Sequence, residues 1–170
     1  MKPVIIETER LQLREMELDN IDALATILQD DRVMYAYNGA FSADETMAWL
    51  QKQFRRYADY GFGLWGVFLK DTGKMIGQCG ITMQDFDDAQ VPEIGYLLAF
   101  DYWHNGYAIE AAKATTAYGL GILRFEHLYA IIRDNNIASQ NVALRNGMKP
   151  FGNKTVFYRG VVMPHVVYRT

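Results

Sequence analysis

Three groups of residues in this chain have the types and spacing to do chemistry. The first is a strand-loop-helix junction, Glu93-Ile94-Gly95-Tyr96-Leu97-Leu98 followed by Trp103-His104-Asn105-Gly106-Tyr107-Ala108. A loop with Gly106 and the small Ala108 entering a helix lets main-chain N–H groups approach an anion, and the helix dipole adds to the attraction. The spacing is neither G-x-G-x-x-G nor G-x-x-x-x-G-K-S/T, so the dinucleotide fingerprint and the P-loop are both absent. By itself the hexapeptide reads more simply as a turn in which Asn105 or Gly106 relieves backbone strain. The second group opens a helix at Asn135-Asn136-Ile137-Ala138-Ser139. Asn136, Ser139 and Ala143 share one face at i, i+3 and i+7. Asn136 could hydrogen-bond an extended polar ligand and Ser139 could donate a proton or hydrogen bond; a cap residue and a first-turn serine are the simpler alternative. The third group is titratable. Glu93 heads an apolar strand and is a candidate general base, with a solvated strand-end carboxylate after Pro92 equally open. His104 is expected to face solvent, and His165, in the last strand, to be a structural histidine, with a place at the edge of a substrate site as the alternative. Cys79, in Gly77-Gln78-Cys79-Gly80, has no partner for covalent catalysis and reads as core.

The elements that must position these residues follow from pattern. Residues 4–16 end in an alternation, Leu11-Gln12-Leu13-Arg14-Glu15-Met16, that predicts one half-buried strand. Residues 18–30 have apolar positions at helical spacing, and Ser42-Ala43-Asp44-Glu45 has the form of a capping box opening a helix to about Asp59. Residues 64–70 and 75–84 flank Asp71-Thr72-Gly73-Lys74 as a hairpin, and 93–99 is a further strand. A helix from about Tyr107, a strand from His127 to Arg133, a helix from Asn136 closed by Gly147 and a final strand pair complete the order β-α-α-β-β-β-α-β-α-β-β. No repeat or linker divides it, so one mixed α/β domain over residues 1–170 is expected.

Composition bounds the function. The chain has 170 residues, half of them hydrophobic and 22% charged, enough to bury a core and too apolar for a disordered segment. Its net charge of −3 argues against nucleic acid as partner. The charge is uneven: residues 1–132 carry 11 Lys/Arg against 19 Asp/Glu, and residues 133–170 carry 6 against 1. No stretch is apolar enough for a transmembrane helix, and the amino-terminal apolar run is too short for a signal peptide. One cysteine excludes an internal disulfide and a multi-cysteine zinc site. A cytoplasmic protein without membrane attachment is expected, and the edge of the last hairpin leaves room for a homodimer.

Taken together, the segments resemble the GNAT acetyltransferase superfamily, specifically its ribosomal-protein-alanine (Rim-type) N-acetyltransferase branch. The likeness runs from Thr8-Glu9-Arg10-Leu11-Gln12-Leu13-Arg14 to Met163-Pro164-His165. It is carried by Glu93-Ile94-Gly95-Tyr96, by Tyr102-Trp103-His104-Asn105-Gly106-Tyr107-Ala108-Ile109-Glu110-Ala111, and by Asn136-Ile137-Ala138-Ser139 through Arg145-Asn146-Gly147-Met148. The resemblance implies a central, mostly antiparallel twisted sheet of about seven strands with a splayed parallel pair, flanked by four helices. It implies acetyl-CoA as donor and no metal. The family loop Q/R-x-x-G-x-G/A falls on Trp103 to Ala108, with Trp103 replacing the usual Gln or Arg. Amides of Trp103, His104, Asn105, Gly106, Tyr107 and Ala108 would hold the pyrophosphate. Main-chain groups of Tyr96, Leu97 and Leu98 would pair with pantetheine, Asn136 and Ser139 would line its arm, and Arg145 would sit near the phosphates.

The implied reaction is direct attack of a primary amine on the thioester. A peptide α-amine, with a pKa of ~8 against ~10.4 for lysine, is the easier one to deprotonate. Many relatives carry a tyrosine acid at the position that is Ala143 here, so Ser139 becomes the candidate proton donor to the thiolate and Glu93 the candidate base. Tyr35, Tyr37, Trp49, Phe62 and Trp65 lie in segments that form the acceptor pocket in the family, and Tyr35 and Trp65 are the two expected to touch substrate. Two other readings stay open: acetylation of a small amine (polyamine, amino acid or antibiotic), and an acetyl-CoA-binding module without turnover.

Overall fold

The computed structural model describes all residues, Met1–Thr170. Residues 4–16 form two strands, not one: β1 (Val4–Glu7) and β2 (Leu11–Arg14) pair antiparallel. The chain turns between them at Thr8, whose hydroxyl accepts the Leu11 N–H at 2.9 Å while its own N–H donates to the Leu11 carbonyl. Helices α1 (Ile21–Leu28), α2 (Asp31–Met34) and α3 (Ala43–Tyr60) follow. The short α2, absent from the sequence expectation, exists because the Asp30 carboxylate accepts the Arg32 N–H and caps one turn. The expected capping box opens α3: Ser42 accepts the Glu45 N–H, and Glu45 accepts the Ser42 N–H. Five helices therefore stand where four were expected, and eight strands where about seven were.

The remaining elements are β3 (Leu64–Leu69), β4 (Met75–Phe86), β5 (Ala89–Leu98), α4 (Tyr107–Gly121), β6 (Tyr129–Arg133), α5 (Ile137–Arg145), β7 (Lys149–Tyr158) and β8 (Val161–Arg169). They form one sheet in the order β1-β2-β3-β4-β5-β6-β8-β7. Every neighbouring pair is antiparallel except β5 and β6, which run parallel and meet only at Glu93 opposite Tyr129. Beyond that point β5 continues to Leu98 paired with β4 alone, so the edge that would face β6 is open.

All six residues of β3 are buried, because helices cover both faces of the sheet. On one side Leu11, Leu13, Trp65, Val67 and Ile81 pack with Ala111 of α4. On the other, Leu24 and Leu28 of α1 and Leu50 of α3 pack with Met16 and Phe68. A smaller cluster of Ile94, Ala112, Ala130, Ile132, Ala143 and Met148 packs as a wedge under the splay. Burial of such side chains stabilises by roughly 1.5–3 kcal/mol each. No helix is long and apolar enough to cross a membrane.

Candidate active site

The open edge of β5 forms the floor of a cleft. Its far wall is the first turns of α5, and its end is the loop into α4. The cleft has a volume of about 280 Å³ and is lined by Tyr96, Leu97 and Leu98, by Trp103, His104, Gly106, Tyr107 and Ala108, and by Asn136, Ser139 and Arg145. Main-chain groups left unpaired by the splay, together with the amides of a helix N-terminus, suit an extended amide-bearing chain ending in phosphates.

Local chemistry explains the loop. Gly106 caps α4 with φ of 78°, in the left-handed region that favours glycine, and His104 shares that sign of φ at 60°. A Cβ at Gly106 would also come within 3.4 Å of the Arg10 guanidinium. Trp103 turns its indole back, donating from Nε1 to the Leu98 carbonyl at 2.9 Å, and so braces the end of β5. Asn105 departs from the expectation. It is outside the cleft lining: its side chain donates to the Trp103 carbonyl at 2.8 Å, and its own carbonyl accepts from Arg10 at 3.0 Å.

Arg10 is a residue the sequence reading gave no role. It pairs with Glu110 of α4 at 2.7 Å and lies 4.4 Å over the Tyr107 ring. The Glu110 carboxylate also takes the Arg10 N–H at 2.9 Å and the Thr8 hydroxyl at 2.6 Å, which together hold its pKa below the ordinary carboxylate value against the effect of burial. The β1–β2 turn is thereby clamped to the first turn of α4. Only charge type and the family stretch around Arg10 signalled it.

On the opposite wall Asn136 is the N-cap of α5. Its Oδ1 accepts the Ser139 N–H at 3.2 Å and the Tyr35 hydroxyl at 2.9 Å. Both readings of Asn136 therefore hold at once, since the residue caps the helix and also lines the cleft. Ser139 uses its main chain for structure, its carbonyl accepting the Tyr96 hydroxyl at 2.7 Å, so its own hydroxyl is spared for the cleft. Burial pushes the Tyr96 phenol up, and its side chain serves as a strut between β5 and α5. Ala143 is fully buried in the wedge under the splay, so position 143 presents no acid to the cleft.

A second cleft, of about 350 Å³, opens on the other side of the splay. It is lined by Tyr37 and Trp49, by Lys52 and Arg56 of α3, by Glu93 and Gly95 of β5, and by Arg133, Lys154 and His165. The two clefts share Val33, Tyr96, Leu97, Asn136 and Ser139, which makes this junction the one place where both could contribute to a single reacting centre.

Glu93 sits in the middle of β5, opposite Thr82, and not at the strand's start. It stands where β5 and β6 part. Burial raises its carboxyl to about 7, partly offset by the Ile131 N–H and by the charges of Arg56 and Lys154. A carboxyl poised there can exchange a proton near neutrality. Burial also lowers the His165 imidazole, and the ring's Nδ1 lies 2.9 Å from the Met163 carbonyl.

One of the two expected acceptor contacts, Trp65, is corrected. Trp65 is fully buried and packs edge-on against Tyr118 at 5.4 Å, inside the core between β3 and α4. Tyr35 lines the first cleft, through its bond to Asn136, and not the second. The aromatics that do line the second cleft are Tyr37 and Trp49, whose rings pack edge-on at 6.1 Å. Cys79 is buried, 3.4 Å from the Thr115 hydroxyl, and its thiol is pushed up to about 12, which suits a core residue and not a nucleophile.

Residues 10–149 match the family model described as acetyltransferase (GNAT) domain. The chain belongs to the GNAT acetyltransferase family. As a GNAT protein it is an acyltransferase, and it is 39% identical over 142 residues to the Bacillus subtilis protein YkkB, covering 83% of each chain. Among solved structures it resembles a GNAT-family acetyltransferase from Bacillus anthracis, at 25% identity and a TM-score of 0.82, covering 97% of this chain and 96% of that one. It also shares its fold with RimL, a ribosomal L7/L12 α-N-protein acetyltransferase solved in complex with coenzyme A, at 19% identity and a TM-score of 0.79 over 99% of this chain and 97% of that one.

Proposed function

We propose that this GNAT protein transfers the acetyl group of acetyl-CoA directly to a primary amine, by preference the α-amine of a peptide or protein N-terminus. The observation that carries the reading is the meeting of two clefts at Tyr96, Leu97 and Ser139, one built for an extended phosphate-ended donor and the other holding a carboxyl poised near 7. The likeness to RimL, an α-N-protein acetyltransferase solved with coenzyme A, supports the choice of acceptor and donor.

The donor cleft fits coenzyme A by its chemistry. Unpaired main-chain groups of β5 from Ile94 onward match the amides of pantetheine, and the Gly106 loop matches the pyrophosphate. Asn136 and Ser139 flank the arm, with Arg145 toward the phosphates. In the reaction the ammonium form of the acceptor gives up one proton to Glu93, directly or through one water, and so becomes the neutral nucleophile. Its nitrogen then bonds the thioester carbonyl carbon, and main-chain N–H groups near Leu97 stabilise the oxygen as it gains charge. The C–S bond breaks, the departing thiolate takes a proton from the Ser139 hydroxyl, and that hydroxyl regains one, directly or through a water, from the nitrogen as the amide forms. The smaller the amine's own pKa, the less work Glu93 must do, which favours an α-amine over a lysine side chain.

Thiol release measured across a panel of peptides, lysine derivatives and small amines tests this. Turnover with peptide α-amines is the expected result. Turnover confined to small amines would move the acceptor class, and acetyl-CoA binding with no turnover on any amine would leave a binding module.

A further inference from the structure

The acceptor cleft has a charge opposite to that of the molecule. The whole chain is at −3, yet Lys52, Arg56, Arg133 and Lys154 line this cleft against one carboxylate, Glu93. None of the four cations is in an ion pair; the molecule's ion pairs all involve other basic groups. They come from three separate elements, α3, β6 and β7, so no single solvated helix face explains their convergence.

Three of the four are held by neutral partners that leave their charge in place. Arg56 donates from Nη1 to the Gln53 side chain at 3.2 Å, and Gln53 in turn takes the Leu64 N–H at 3.1 Å. Arg133 donates from Nη1 to the Tyr35 carbonyl at 3.1 Å, while its Nε is buried with no partner. Lys154 donates to the Asp85 carbonyl. Burial draws both Lys52 and Arg56 below their ordinary pKa values, and Arg56 and Arg55 repel the Lys52 ammonium further. Four cations that converge on one cleft without an ion pair, with the Arg133 Nε–H left unsatisfied, are short of a counter-ion.

Accordingly, and on the reading that this cleft holds the acceptor, we infer that the acceptor is a primary amine bearing an anionic group, a carboxylate or phosphate, a few bonds from the amine. The amine end meets Glu93, and the anionic end meets the Arg56–Lys52 side or the Arg133–Lys154 side, where guanidinium groups recognise planar anions well. A polyamine or aminoglycoside brings further positive charge into a cleft that already repels it. The source of the anion is either a side chain near the start of a peptide or the acid group of a small amine.

The test uses matched acceptors that differ only in the anion: peptides with Glu or Gln at the second residue, an acidic amino acid and its amide, and phosphoethanolamine against ethanolamine. Acetyl transfer from acetyl-CoA is followed for each. The anionic member of the favoured pair should have kcat/KM at least tenfold higher, which corresponds to about 1.4 kcal/mol, with the difference mainly in KM. The pair that shows it identifies the source. Arg56→Gln and Lys154→Gln should each shrink that ratio, a within-variant comparison that loss of folded protein does not move. Equal rates within every pair, a preference for neutral or cationic acceptors, or a ratio untouched by both variants overturns the inference. Should no acceptor be acetylated, the transfer reading fails by itself; calorimetric titration of the same pairs into CoA-saturated protein then decides the inference, sustained by tighter binding of the anionic member and overturned by equal or no binding.

Discussion

At the scale of single residues, Glu93 and Ser139 make separable claims. Free Glu93 with a carboxyl near 7 should add a bend near that pH to the acidic side of kcat/KM, distinct from the one the acceptor amine gives near ~8, and Glu93→Gln should remove the bend near 7 and lower kcat ~10²–10⁴-fold. If the bend near 7 survives, the base is elsewhere. The same shift makes a stability prediction. The unfolded carboxyl loses its proton near 4.5 and the folded one near 7, so the native state binds more protons across that window. Its contribution to stability therefore falls as pH rises from 4.5 to 7. Glu93→Gln should melt higher than the parent above neutrality and equal to it below pH 4.5. Ser139→Ala should lower kcat with acetyl-CoA affinity unchanged: about tenfold if the hydroxyl only hydrogen-bonds the sulfur, ~10²-fold or more if it transfers a proton. Stopped-flow kinetics with acetyl-CoA separates the two. The sequence named both residues, but not the cations around them. Lys52 and Arg56 stand at i and i+4 on α3, a spacing that equally describes a solvated helix face, and only the fold shows that Arg133 and Lys154 close on the same space.

At the scale of elements, the loop into α4 is set by Gly106 and by the clamp from the β1–β2 turn. Gly106→Val forces a β-branched residue into a left-handed backbone and drives its side chain toward Arg10, so acetyl-CoA should bind at least tenfold more weakly by calorimetry. Unchanged affinity would move the phosphate site. Arg10→Ala removes the pair with Glu110 and the bond to the Asn105 carbonyl. The guanidinium is partly exposed, so the expected loss of stability is only ~1 kcal/mol, with a several-fold rise in the KM for acetyl-CoA and a smaller change in kcat. This clamp was hidden because Thr8-Glu9-Arg10 contains no glycine or proline to announce a turn. By contrast the capping box of α3, the β3–β4 hairpin and the α4 junction were legible, since each carries its own local chemistry. Trp65 was misplaced for a different reason. A strand buried at all six positions has no alternation to show which aromatic faces a pocket, and its packing on Tyr118 is a tertiary fact.

At the scale of the whole molecule, the sheet brings the two clefts together from opposite sides of a single splay, and the proposed transfer passes directly from donor to amine with no acetyl group held on the protein. Cys79 is buried away from both clefts, so Cys79→Ala should retain activity and initial-rate kinetics should show intersecting, not parallel, double-reciprocal lines. The order of elements and the parallel pair were expected from pattern and resemblance; the place where β5 and β6 part, at Glu93, was not, because it goes with the tertiary packing of Ile94, Ala112, Ala143 and Met148 beneath them. The measurement that bears most directly on the central claim is a single-turnover experiment with acetyl-labelled acetyl-CoA and a peptide with a free α-amine. Direct transfer predicts one labelled peptide for each CoA thiol released, with no label on the protein at any time. Label trapped on the protein, or thiol released without acetylated amine, would contradict it.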